Sequence, residues 1–209
     1  SHSIHLKPLD EDALSLPVRT GKARVIGIEP ASLVTKSLVR EVKTDDTGCF
    51  QSALNPGLTK IAVIERHKRT GKLGIGILEG YGLTGGAIAT TISHDSHNIV
   101  VAGDNDPDML LAVRELADMG GGIVSVHGGA IRRLPLPIAG LMTSADPQEV
   151  NAVLHDMLVA ARAELGIPED VEPFMTLSFM ALPVIPELKL TARGLFNVNT
   201  FSFVGVEAD

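Results

Sequence analysis

The chain has 209 residues, 44% of them hydrophobic and 21% charged, with 21 glycines, 12 prolines and no tryptophan. That balance excludes disordered and fibrous classes, and an aromatic content of 3% with a single tyrosine excludes a broad aromatic binding platform. Acidic residues outnumber basic ones by 25 to 18, for a net charge of −7, which argues against nucleic acid because a phosphate backbone calls for a positive footprint.

The N-terminal stretch up to Val18 is polar and carries Asp10, Glu11 and Asp12, without the basic and then apolar order of a secretory signal. Residues 1–22 read as an extension or linker, and 23–209 as one domain, with a division near residue 84 left open. Runs rich in β-branched residues at Ala23–Ile28, Leu33–Val42, Ile61–Arg66 and Leu73–Leu78, separated by Gly, Pro or Asp, predict a β meander. Cys49 is the only cysteine, which rules out an intrachain disulfide framework and a multi-cysteine zinc site and suits a reducing, cytoplasmic setting. The basic string RHKRTGK around Gly71 reads as a solvated hairpin tip. Glu65, Arg66 and His67 could also present polar groups from a sheet edge toward a neighbouring domain.

Gly80-x-Gly82-x-x-Gly85 matches a dinucleotide fingerprint, with Asp104 at the expected later position, but the chain continues as strand-like AIATTI where the fingerprint needs a helix. A glycine-rich turn is the better reading. Ala87–Ser93 and Asn98–Ala102 are extended runs that bracket a polar string, so a strand, bend, strand unit follows. Asp106 and Pro107 then open a helix with Met109, Val113, Leu116 and Ala117 on one face, closed by the triple glycine 120–122. Asp104, Asp106, Asp108 and Glu115 have calcium-loop spacing without the required glycine, and helix capping accounts for them better. Ile123–Val126 and Ile131–Leu134 form a hairpin across Gly128 and Gly129. A second helix runs from Asp146 and Pro147 to Gly166. Beyond it, Met175, Phe179 and Met180 read as core filling, and the apolar run Phe174–Ile185 is too short to span a bilayer. The order of elements predicts an α+β fold, a largely antiparallel sheet with helices packed on one face.

The chemistry-bearing cluster is SHDSHN, with His94, Asp95, Ser96, His97 and Asn98 as candidate site residues. In a continuous strand His94 and His97 would face opposite ways, so a shared site requires a reversal between them. Two readings stand: a metal or substrate contact by the histidines, with Asp95 orienting an imidazole, or a polar turn bonded to its own backbone. His2, His5, His127 and His155 read as surface residues.

Three segments, GAIATTISHDSHNIVVAG, LPLPIAGLMTS and FMTLSFMALPVIPELKLTARGLFNV, together resemble the C-terminal region of bacterial and archaeal adenine deaminases. The likeness extends more loosely through KIAVIERHKRTGKLGIGILEGYGL and covers the chain from about Ala23 onward. It implies a role in the hydrolysis of adenine to hypoxanthine and ammonia by a metal-dependent enzyme. In that family a divalent metal (manganese, iron or zinc) is held in an amidohydrolase barrel by an HxH pair and further ligands. This chain has no HxH, nor the strand and helix alternation of a barrel, so it is expected to bind no metal or other cofactor alone and to be inactive when isolated. The implied partners are the barrel domain and adenine, with a homo-oligomer open and neither nucleic acid nor membrane expected. A free-standing purine-binding or regulatory module and a purely structural domain are the alternatives.

Overall fold

The computed structural model describes residues 3–209. Its strands are β1 (Lys22–Ile28), β2 (Thr35–Glu41), β3 (Leu58–Ile64), β4 (Leu73–Glu79), β5 (Gly86–Thr90), β6 (Ile99–Gly103), β7 (Gly122–His127) and β8 (Ala130–Pro135), then β9 (Leu188–Thr191), β10 (Gly194–Asn197) and β11 (Ser202–Val204). The helices are α1 (Asp106–Asp118), α2 (Pro147–Ala163) and α3 (Pro173–Phe179). His2, expected at the surface, lies outside the described residues.

The first eight strands form one sheet in the order β2-β1-β4-β3-β6-β5-β7-β8, and the last three form a small second sheet. The large sheet is mixed rather than largely antiparallel: β1 and β4 run parallel, while the other neighbouring pairs are antiparallel. The expected meander is also corrected. Its four strands are two hairpins joined side by side, because the β2–β3 connection crosses over the sheet instead of turning back at its edge. That connection carries Phe50, fully buried against Leu16, Val18, Val25 and Ile77. Covering this apolar face removes it from water.

The helices do not share one face. α1 buries Met109, Leu110, Ala112, Val113 and Leu116 against one side of the sheet, where Ala87 and Ala89 leave room for a close approach. On the other side Met157 and Ala161 of α2, Phe174 and Leu177 of α3, and Leu188, Leu190 and Leu195 of the small sheet pack on Ile61, Val63, Ile88 and Val100. A sheet covered on both faces has no solvent side, so its central strands read as continuous apolar runs: β5 and β6 are buried at every residue.

The helix signals hold locally, with one shift. Asn105, not Asp106, caps α1, accepting from Asp108 N at 2.9 Å, while Asp106 pairs with the buried Lys60 at 2.6 Å. Asp146 caps α2 as expected, accepting from Gln148 N at 2.8 Å. Among the described residues no helix is long and apolar enough to cross a membrane.

Two positions test this layering. A Cβ built at Gly74 on β4 would lie 2.0 Å from the Thr191 carbonyl oxygen of the small sheet, a backbone atom that cannot swing aside. Gly74→Ala should therefore cost about 2 kcal/mol or more of stability, read as a lower urea midpoint. Lys189 is buried on β9 with its Nζ donating to the Leu33 carbonyl at 2.8 Å, and burial pushes its ammonium down to about 8 from an ordinary 10.5. The unfolded chain holds this proton more tightly, so stability should rise as pH climbs from about 8 to 10.5. Lys189→Met should abolish that rise and leave stability at neutral pH unchanged or higher.

Candidate functional site

Four connections meet at one end of the large sheet: the β3–β4 tip, the β5–β6 bend containing SHDSHN, the turn after β8, and the entering segment at Ser3–His5. The residue that gathers them is Arg66, only 1% exposed although it belongs to the basic string expected to be solvated. Two residues beyond Ile64, it follows that side chain's inward direction. Its Nη1 donates to the Ser3 carbonyl at 3.0 Å, its Nη2 to the Ala139 carbonyl at 2.9 Å and its Nε to the His97 carbonyl. The Arg66 carbonyl in turn accepts from His5 N at 2.7 Å. Among the described residues no carboxylate pairs with it, and burial draws its pKa down. The charge is held by carbonyl dipoles and, at 3.4 Å, by the Ser3 hydroxyl.

Thr91 completes the scaffold. Its Oγ1 donates to the Gly140 carbonyl at 2.5 Å and accepts from Gly122 N at 2.8 Å. A Cβ on Gly121, whose φ is +106°, would come within 2.5 Å of Gly140 Cα, so the glycine run before β7 exists to let the 136–142 turn close over it.

The bend reverses the chain as a shared histidine site requires. His97 N donates to the Ser93 carbonyl at 2.7 Å, with His97 at a left-handed φ of +49°. The His94 and His97 rings stand 6.3 Å apart, and His94 stacks on Phe179 of α3 at 4.6 Å. Asp95 and Ser96 are exposed, and Asp95 makes no hydrogen bond to either imidazole. The Ser96 carbonyl lies 2.8 Å from His67 Nε2. Glu65 folds back on its own tip: although burial works against it, hydrogen bonds from the Thr70, Lys68 and His67 amides and the Thr70 hydroxyl bring its carboxyl down to about 2. Glu65 is thereby occupied within the tip.

Ser93 Oγ, His97 Nδ1 and Asn98 Oδ1 are all buried without a hydrogen-bond partner, and among the described residues only Ser125 Oγ shares that condition. An unmet buried polar atom costs about 1–3 kcal/mol, so three in six residues require a reason beyond local folding. Burial, with His94, Arg66 and His67 close by and Asp95 opposing, lowers the His97 pKa and favours its neutral ring.

Phe179, Thr91, Ser93 and the Ala139–Gly140 turn belong to this end of the molecule and are absent from the candidates drawn from sequence. Met175, expected in the core, is 57% exposed one helical turn from Phe179, and Ile138 and Met142 are exposed on the turn that Arg66 and Thr91 hold. The bend is thus flanked by apolar surface on two sides.

The other motifs are spoken for. The Asp104 carboxylate accepts from Gly85 N at 2.6 Å and Gly86 N at 3.0 Å, so the glycine-rich turn faces its own anion. Glu115 pairs with Arg133 at 2.6 Å. Among the described residues no three of His, Cys, Asp or Glu are placed to hold a metal ion. A depression of about 740 Å³ between β2 and the residues before β3 shares no residue with the bend, and its Arg40 and Glu79 already pair at 2.7 Å.

A family model described as the adenine deaminase C-terminal domain matches residues 32–202. An adenine deaminase of Nitratidesulfovibrio vulgaris is 58% identical over 205 residues, covering 98% of this chain and 35% of the relative. Adenine deaminase 2 of Carboxydothermus hydrogenoformans is 47% identical over 206 residues, and an adenine deaminase of Clostridium acetobutylicum 44% identical over 205, each covering 98% of this chain and 36% of the relative. The chain spans about a third of the length of these relatives.

The His97 environment predicts an acid-side instability. Below the ordinary histidine value of 6.5 the unfolded chain takes up a proton that folded His97 resists, so stability is lost as pH falls through that value toward the lower folded pKa. His97→Gln should shrink the difference in urea midpoint between about pH 7.5 and about pH 5.5; an undiminished difference would refute the assignment.

Proposed function

The chain belongs to the adenine deaminase C-terminal domain family, and from that premise we propose that it is the C-terminal part of an adenine deaminase whose SHDSHN bend borders the purine site of the preceding domain. The observation that carries the reading is the concentration of unpaired buried polar atoms, Ser93 Oγ, His97 Nδ1 and Asn98 Oδ1, in one bend.

A neutral imidazole suits an uncharged purine, because a ring nitrogen of His94 or His97 can accept from or donate to a purine ring nitrogen according to tautomer. The exposed Met175, Ile138 and Met142 would seal against the preceding domain and keep bulk water from the ring. Water activation falls to residues outside this chain, where the family resemblance implies a divalent metal. Among the described residues no three of His, Cys, Asp or Glu are placed to hold a metal ion, and the part proposed for this chain is to bind, orient and exclude water. That activity would place the chain in purine salvage.

A buttressing role is the rival reading. It draws on the inward bonds of the bend, from His97 N to the Ser93 carbonyl and from Arg66 to the His97 carbonyl. In a full-length adenine deaminase bearing this domain, His94→Ala and His97→Ala should each lower kcat/KM by about 10-fold to 100-fold, with metal content and melting temperature retained. Unchanged kinetics would favour the buttress and reject the proposal.

A further inference from the structure

We infer that Arg66 is a positioning residue for His97, a buried cation that locks the bend, the entering chain and the 136–142 turn into one arrangement and presents the imidazole at a fixed place. The inference concerns this chain's own geometry, and only its catalytic consequence rests on the proposed adenine site.

The geometry carries it in three steps. The guanidinium spreads its donors over three separate chain segments, Ser3, His97 and Ala139, which no hydrogen bond within a single hairpin could join. The bond to the His97 carbonyl holds the one residue of the bend with a left-handed backbone, so loss of that anchor frees the ring to leave its place. Gly140 lies so close that a Cβ there would meet the Arg66 guanidinium nitrogens at 3.1 Å, so the turn is shaped around this side chain.

The same cation acts on the ring it positions. The charged and titratable groups around His97 are Arg66 and His67 from the β3–β4 tip, His94 and Asp95 from the bend itself, and His5 on the entering segment. The 136–142 turn and α3 contribute no ionisable side chain. Arg66 alone among these is permanently charged and buried, and its field opposes protonation of His97 at every working pH. A structural arginine on the surface would exert no such constant influence.

The test follows the His97 ring by histidine proton NMR across pH in the 209-residue chain. Arg66→Gln should raise the His97 titration midpoint and broaden its ring signal. Arg66→Lys, which keeps the charge and loses the fork, should leave the midpoint low while broadening the signal. Tyr81→Phe, which deletes a buried hydrogen bond to the Pro173 carbonyl at the start of α3, controls for general loss of stability and should change neither. If Arg66→Gln does not fold, the Lys variant decides: a low midpoint with a mobile ring supports the inference, and a ring as sharp as in the parent chain overturns it. Midpoints and linewidths that stay at parent values in a folded Arg66→Gln chain overturn it as well. In a full-length deaminase, Arg66→Gln should also move the acid limb of kcat/KM to higher pH. A shifted NMR midpoint with an unmoved acid limb would leave the positioning role standing and remove the bend from the adenine site.

Discussion

The end of the molecule that carries its chemistry depends on a single buried guanidinium. Arg66 has no carboxylate partner among the described residues and is held by carbonyl oxygens from the entering chain, the SHDSHN bend and the turn after β8. Desolvating a cation is expensive, and dipoles recover that cost only when every donor is met in good geometry. The arrangement therefore tolerates little slack. If one segment moves, the charge loses a partner, and the other two segments lose their common anchor. A bend whose own polar atoms are incompletely satisfied can keep one shape because its neighbour is so fully committed.

Behind that end stands a sheet buried on both faces. α1 on one side and α2, α3 and the small sheet on the other leave β5 and β6 no contact with solvent, so the strands on either side of the bend are the most enclosed in the fold. A loop supported by such strands is a rigid presentation of polar groups, which is what substrate orientation in an assembled enzyme demands. At the far end of the sheet the buried Lys60 ammonium is met by the Asp106 carboxylate and the Leu14 carbonyl. There the glycine-rich turn is closed by the Asp104 carboxylate, and Asn105 caps the helix that follows.

Much of the local structure could be read from residue order. The caps before α2, the glycine closure of α1 and the hairpin over Gly128 and Gly129 rest on interactions within a few residues, and each stands where the pattern put it. The bend between two apolar strands was readable too, because a polar string cannot continue a strand buried on both faces. The mixed sheet was not, since β1 lies beside β4 through a β2–β3 connection that crosses the sheet and buries Phe50, a tertiary contact no local pattern announces. Met175 was misplaced for a related reason: apolar character marks a residue as able to be buried, and whether a surface is free to receive it depends on what packs around the helix.

Residue order by itself determined the eight strands of the large sheet, α1 and α2, the Asp146 cap and the family resemblance, because these follow from periodicity, backbone preference and strings of neighbouring residues. Tertiary structure alone decided the strand order, the two-sided covering of the sheet and the fate of Arg66, which its basic neighbours made indistinguishable from a solvated lysine or arginine. Burial of a charge depends on three carbonyls contributed by positions 3, 97 and 139, and no local rule connects residues so far apart along the chain.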